Sequence, residues 1–265
     1  MNHPSEPLRP ARVKDVAAAA GVSVATVSRA FNPQAVVTDD TRKHVLAVAQ
    51  RLGYSPHPAA KALRLQRSFL AGAIFPSTEY GFYARLLSNF QSEMNAHGYL
   101  SILLTVGFDN SKLFDSVRQL VDRGVEALMV VGRIDDDRLI SYLLDRRIPV
   151  VTTYSVLPDA PFPSVGIDNY AATSQVMEHL LALGHKEFAM LSGPAAGNDR
   201  QQARRRAFLN ALNKAGLRSE GRIFEDPQGY SLGYGTRAFH TLMQAHPEIT
   251  ALVCNSDGYG MAALL

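Results

Sequence analysis

VKDVAAAAGVSVATVSRAFN, residues 13–32, reads as two short helices around a tight turn. Lys14–Ala20 is rich in alanine, the strongest helix former, and Gly21 supplies a sharp exit that a residue with a side chain would resist. Ser23 stands at the N-cap of the second helix. Thr26 follows at the box position, where Glu or Gln is usual. Val16, Ala20, Val22 and Val27 can meet inside the corner. That leaves Val24, Ala25, Thr26, Ser28 and Arg29 on or near the outer face of the second helix. Small and hydroxylated side chains let a helix sit deep in the major groove of DNA, and one Arg can fork onto a guanine edge. Two helices around a glycine also occur where no nucleic acid is bound, so the segment decides the matter only with its neighbours.

The neighbours agree. Thr38 caps a third helix whose first turn holds Asp39 and Asp40, favourable at the positive end of the helix dipole. Val45, Val48, Ala49 and Leu52 recur at helical spacing, and Gly53 ends the run. Tyr54-Ser55-Pro56-His57-Pro58 then breaks the chain before AAKALRLQRS, a segment too short to be stably helical alone.

Further along, the pattern changes. FLAGAIF, LSILLTV, VEALMVV and PVVTTY are short, almost wholly apolar and β-rich, as expected for strands buried on both faces. Helical runs near 82–97, 111–123 and 135–147 separate them. A short strand, Ser164–Ile167, precedes a helix over 170–183. EFAMLS opens a second series, with helices near 200–215 and 231–245 and strands at 222–225 and ITALVC. This predicts two doubly wound α/β units.

DVAAAAGVSVATVSRAFN, followed by VVTDDTRKHVLAVAQRLGYSPHPAAKALR, resembles the headpiece and hinge of the LacI/GalR family of bacterial transcription regulators. The likeness runs from Val13 to Arg64 almost without a gap and more loosely to the C-terminus. One departure is visible: Arg12 replaces the Thr or Ser that usually caps the first helix, a loss of about 1 kcal/mol that predicts fraying. The resemblance implies a helix-turn-helix domain over 1–56, a hinge over 57–68, and effector subdomains over 69–184 and 185–265. The subdomains would be of the type I periplasmic-binding-protein fold, the second one incomplete. It further implies that the hinge folds on operator DNA, pairs with its twin in the minor groove, and wedges the central base step with Leu63, beside Arg64. The same segment would otherwise be a plain linker. Arg29 would read a guanine, with Val24 and Ala25 setting base preference by apolar contact. Ser23, Thr26, Ser28, Thr41, Arg42 and Tyr54 would face phosphates.

Open α/β units bind ligands beyond the C-terminal ends of their strands. Three places there match the family's effector contacts. In the loop Ser77–Tyr83, Phe82 or Tyr83 either stacks on a sugar or staples the next helix. Asp168 and Asn169 either bind hydroxyls or cap the helix starting at Tyr170. On NDRQQARRRAFLNAL, Arg204 stands four residues before Phe208, at the family's effector-gripping position, while Arg200, Arg205 and Arg206 are expected to form a solvated face. Ala207 replaces the glycine the family often has. Asp257, in Asn255-Ser256-Asp257, either caps the last helix or faces the effector. His185 marks a crossover between subdomains and is assigned no chemistry.

Charge divides as this reading requires. Residues 1–70 hold ten Lys and Arg against four Asp and Glu, and the other 195 hold 17 against 20. A basic N-terminal part on an acidic remainder suggests a polyanion partner for that part. The chain has no GxxxxGK, HExxH, metal-spaced cysteines or nucleophile elbow, so neither an enzyme nor a cofactor is expected. Asp135-Asp136-Asp137 reads as a dipole-favoured helix start. Cys254, the single cysteine, ends a strand, excludes a disulfide within one chain and fits a reducing compartment. MNHPSEPLRPAR lacks the apolar run of a signal peptide, and no stretch approaches the roughly 18 apolar residues of a membrane span. A cytoplasmic protein without membrane contact is expected. Family members continue beyond the position of Leu265 through further strands and another acidic effector contact, so a shortened record is expected. Taken together, these features predict a repressor, binding a palindromic operator as a homodimer and controlled by a small molecule such as a sugar or sugar acid. The competing reading is a solute-binding protein of periplasmic type.

Overall fold

The structure, a computed structural model, describes residues 10–32, 35–56, 62, 65–78, 80–225 and 232–265; Leu63 and Arg64 of the hinge lie outside them. It divides into two units, Met1–Ser68 and Phe69–Leu265.

The first unit holds α1 (Val13–Ala20), α2 (Val24–Ala30) and α3 (Asp39–Arg51). Gly21, at φ 63°, closes α1. The Val22 N–H donates to Ala17 O and the Gly21 N–H to Ala18 O, the paired bonds of a Schellman turn. The start of α1 is better held than the missing cap predicts. Asp15 reaches back and accepts from the Arg12 backbone N–H at 2.8 Å, one half of a capping box supplied by the acidic residue. Ser23 caps α2 and Thr38 caps α3, each hydroxyl accepting from the N–H three residues on. Val16, Val27 and Val45 are fully buried where the helices meet, with Ala20, Ala30, Val48 and Ala49 around them. Each such valine contributes about 1.5–3 kcal/mol. Val22 packs on the margin of this core.

The second unit carries two parallel sheets. The first lobe is built from β1 (Leu70–Phe75), α4 (Gly81–Ala96), β2 (Leu100–Thr105), α5 (Leu113–Asp122), β3 (Ala127–Val131), α6 (Asp137–Asp145), β4 (Val150–Ser155) and β5 (Ser164–Ile167). The second follows with α7 (Asn169–Ala182), β6 (Phe188–Ser192), α8 (Asp199–Lys214), β7 (Ile223–Glu225), α9 (Leu232–Ala245), β8 (Ala251–Cys254) and α10 (Asp257–Leu264). Strand order is β2-β1-β3-β4-β5 in one sheet and β7-β6-β8 in the other, all pairs parallel.

The central strands β1, β3 and β6 are covered on both faces, which is why they are almost wholly apolar, whereas the edge strand β5 is largely exposed. In the first lobe Ile74, Leu128 and Val130 pack on Val117 and Leu120 of α5 and on Leu139 and Leu143 of α6. The opposite face sets Phe75, Met129 and Val131 against Tyr83 of α4. In the second lobe Phe188 and Met190 meet Met177, Phe208 and Leu212, while Ala189 meets Leu242 and Ile249 behind them. Asp136 caps α6 and is clasped by Arg138 through two side-chain bonds, as the dipole reading of the acidic run requires. Among the described residues no helix is long and apolar enough to cross a membrane.

Candidate nucleic-acid interface and ligand cleft

On α2 the capping that starts the helix also shapes its outer face. Ser23 Oγ accepts from the Thr26 N–H at 3.1 Å, and the two hydroxyls lie 2.9 Å apart. Val24, Ala25 and Arg29 are exposed beyond them, with Thr26 and Ser28 half-buried. Arg29 Nε rests on Ala25 O at 3.4 Å, a weak bond one turn back that lays the side chain along the helix. A rigid helix with a small apolar step and one exposed guanidinium can enter a groove and read a base edge.

The residues expected at phosphates are placed less uniformly. Thr41 is held by the Thr38 cap. Tyr54 packs its ring edge-on to Phe31 at 5.7 Å, inside the margin of the helical core. Arg42 is spent on the protein itself. Its Nη1 donates to Ala30 O and Asn32 O, both at 2.8 Å, and its Nη2 to Ala35 O at 2.9 Å. These carbonyls lie at the last residue of α2 and in the loop after it, where the helix end leaves acceptors without intrahelical partners. Arg42 therefore holds the exit of α2 against α3, a role its place in the sequence did not reveal.

Between the lobes of the second unit the C-terminal strand ends face one another. Among the described residues, one chamber there, about 430 Å³ and the larger of a pair that meets at Asp199 and Arg200, is bordered by Arg133, Asp135, Asp168, Asp199 and Arg206 among others. The smaller, about 230 Å³, is bordered by Phe82, Tyr83, Tyr154, Arg200, Arg204 and Asp257. All the expected effector residues except Asn169 and Asp168 border the smaller chamber; those two border the larger.

Hydrogen bonds fix several of these side chains at helix starts and strand ends. Asp168 caps α7, accepting from the Ala171 N–H at 2.9 Å, and also borders the larger chamber. Asn169 is buried; its amide donates to Tyr154 O and Ile167 O and its carbonyl accepts from Arg204 Nε at 2.9 Å. Arg204 Nη1 donates to Asn255 O at 2.6 Å, so the guanidinium is fixed from both lobes' strand ends. Tyr83 is buried beside Phe75 while also bordering the smaller chamber, and Phe82 stays 38% exposed at the chamber wall. Ser256, not Asp257, caps α10, which leaves Asp257 facing the chamber. His185 bonds Thr250 Oγ1 at 2.9 Å just before β6 and β8, at the end of the second sheet opposite the cleft.

One expectation fails outright. Arg200 is not on a solvated face: it is 7% exposed and paired with Asp199 at 2.8 Å. Arg206 does stay exposed over the Tyr170 ring, and Arg205 bonds Glu225. A signal for Arg200 existed. It lies four residues before Arg204, on the same face of α8. Tyr154 was missed as well; its hydroxyl donates to Phe82 O, and burial raises its pKa, with Arg200 pulling the other way. Cys254 is half-buried at the end of β8, and desolvation pushes its thiol up to about 11.

A helix-turn-helix unit joined to a two-lobed α/β unit with a cleft defines a DNA-binding regulator with a ligand-binding domain. Residues 12–57 match the family of bacterial regulatory proteins of the lacI type, and residues 69–265 match the periplasmic binding proteins and sugar binding domain of the LacI family. The chain belongs to the LacI family and is a transcriptional regulator. It is 30% identical to the HTH-type transcriptional repressor PurR of Erwinia tasmaniensis over 96% of this chain and 74% of that one. It is 29% identical to the regulator RafR of Escherichia coli, over 96% and 75%. A LacI-family regulator from Silicibacter pomeroyi superposes with a TM-score of 0.86 at 24% identity, covering 96% of this chain and 76% of that one. The lac repressor dimer bound to operator and an anti-inducer gives 0.81 at 24%, covering 97% and 77%.

Proposed function

We propose that the chain is a cytoplasmic repressor, without catalytic activity, that binds a palindromic operator as a homodimer and is controlled by a small molecule in the cleft between its α/β lobes. A sugar or sugar acid is the class of effector we assign. The observation that carries the DNA reading is the exposed Val24-Ala25-Arg29 face of a helix capped at Ser23. The lac repressor structure, a dimer on its operator, supports the assembly. Arg29 reads a guanine; Val24 and Ala25 contact thymine methyls; Ser23, Thr26, Ser28, Thr41 and Tyr54 position phosphates. Leu63 and Arg64, in the hinge over 57–68, are assigned to the minor groove on sequence resemblance. Phe82, Asp168, Arg204 and Asp257 contact the effector, with Tyr83 and Asn169 supporting them. The effector acts by favouring one of two arrangements of the regulator, which requires different affinity for each.

Selection of DNA sites from a random pool by the purified chain tests this reading, with binding followed against salt. A palindromic consensus with a flexible central step is the expected result. Unselective binding with a steep salt dependence would overturn the sequence-specific role.

A further inference from the structure

The Asp199–Arg200 ion pair stands where the two chambers meet, Asp199 bordering the larger and Arg200 the smaller. Arg200 keeps 8% of its side chain accessible, and Gly132 makes room for it: a Cβ there would collide with Arg200 Nη1. A guanidinium carries five N–H donors in a planar fork. Among the described residues only one of them has an acceptor, from Nη1 to Asp199 Oδ1 at 2.8 Å. A buried fork with unused donors beside a cavity is matched by a carboxylate or phosphate, which it grips through two parallel bonds.

The surroundings agree in sign. The smaller chamber sets Arg200 and Arg204 against one carboxylate, Asp257, whereas the larger sets Asp135, Asp168 and Asp199 against Arg133 and Arg206. Positive charge is thus concentrated in the chamber walled by Phe82 and Tyr154. Its volume of about 230 Å³ falls below the range of roughly 300–1,000 Å³ usual for whole ligands. It therefore suits one ring and its substituent rather than a disaccharide.

We infer that the effector is an anionic, ring-sized molecule whose carboxylate or phosphate binds Arg200 in the smaller chamber, competing with Asp199 for the guanidinium. This rests on the effector cleft proposed above. Asp199 also holds the two lobes together, accepting from Ser155 Oγ and from the Arg133 N–H. An anion that draws Arg200 away therefore alters the charge balance at the contact between lobes.

The test is calorimetric titration of the full chain, at constant ionic strength, with inorganic phosphate, glucuronate, glucose 6-phosphate and neutral glucose. Saturable binding of at least one anion is expected, with glucose weaker by about tenfold or more. Glucuronate and glucose 6-phosphate separate a carboxylate from a phosphate source. Arg200→Gln should weaken the anion by about tenfold or more, while Asp199→Asn should strengthen it by removing the internal competitor. A purely structural ion pair predicts weakening in both variants, and Asp199→Asn remains decisive if Arg200→Gln does not fold. Glucose binding as tightly as the anions, or anion binding unchanged in Arg200→Gln, overturns the anionic effector and leaves the effector cleft standing. Absence of binding by all three anions likewise overturns the anionic effector and leaves the effector cleft standing.

Discussion

Ser155 at the end of β4 and Asp199 at the start of α8 meet across the cleft, the serine hydroxyl donating to the carboxylate at 2.5 Å. The same carboxylate accepts from the Arg133 N–H at 3.3 Å, and Asn110 Nδ2 donates to Gly197 O at 2.9 Å nearby. One side chain of the second lobe is thus bonded to two strand ends of the first. Without Ser155 Oγ, Asp199 keeps its charge in a half-buried place with one fewer donor.

Ser155→Ala should therefore cost about 1.5–3 kcal/mol, the worth of a hydrogen bond to a charged group. Thermal unfolding measures the loss. Hydrogen exchange at residues 132–134 should rise in the same variant, because the contact between lobes weakens; unchanged exchange there would show that Asp199 does not join the lobes.

Arg29→Ala should remove selectivity at one base pair in each half-site, by roughly 1–3 kcal/mol, in an operator series with single substitutions. Uniform weakening across the series would instead assign Arg29 to phosphate.

Arg42→Ala makes the opposite kind of prediction. Its three bonds to Ala30, Asn32 and Ala35 carbonyls are lost, and the first unit should be destabilised by about 2–4 kcal/mol. The slope of log affinity against log salt should stay the same at temperatures where that unit remains folded. A fall in slope of about 0.9 would mean that Arg42 neutralises a phosphate after all.

Cys254 should resist alkylation in the folded chain at pH 8, since its thiol ionises at about 11 instead of the ordinary 9.0, and should react readily in denaturant. The linkage has a definite sign. The folded state holds the proton more tightly, so this group's contribution is intact below pH 9 and is lost as pH rises towards 11. Cys254→Ala should flatten that part of the stability profile relative to the parent, a comparison that cancels the lysines and tyrosines titrating there.

Much of the architecture was legible because it rests on local rules. Apolar runs bounded by turns marked the strands, and the Gly21 turn with Ser23 and Thr38 caps marked the helices of the first unit. Asp168 shows how far such rules reach. A carboxylate before a helix was readable as a cap, but whether it also borders a cavity depends on a strand from elsewhere in the chain. Arg12 shows the converse: a missing cap predicted fraying, and Asp15, three residues on, supplied the bond.

By itself the sequence determined the helix-turn-helix face, the alternation of strand and helix, the split of charge and the place of Arg204 on its helix, because periodicity, capping and turn chemistry act between residues a few positions apart. Only the tertiary structure decided the fates of Arg42, Arg200 and Tyr154. Arg42 closes on carbonyls 7–12 residues away, Arg200 is buried under Gly132, and Tyr154 donates to a carbonyl 72 residues earlier. An arginine reads the same in sequence whether its partner is water, a phosphate or a distant backbone. Burial makes the choice, since a guanidinium removed from water must find acceptors wherever the packed lobes bring them.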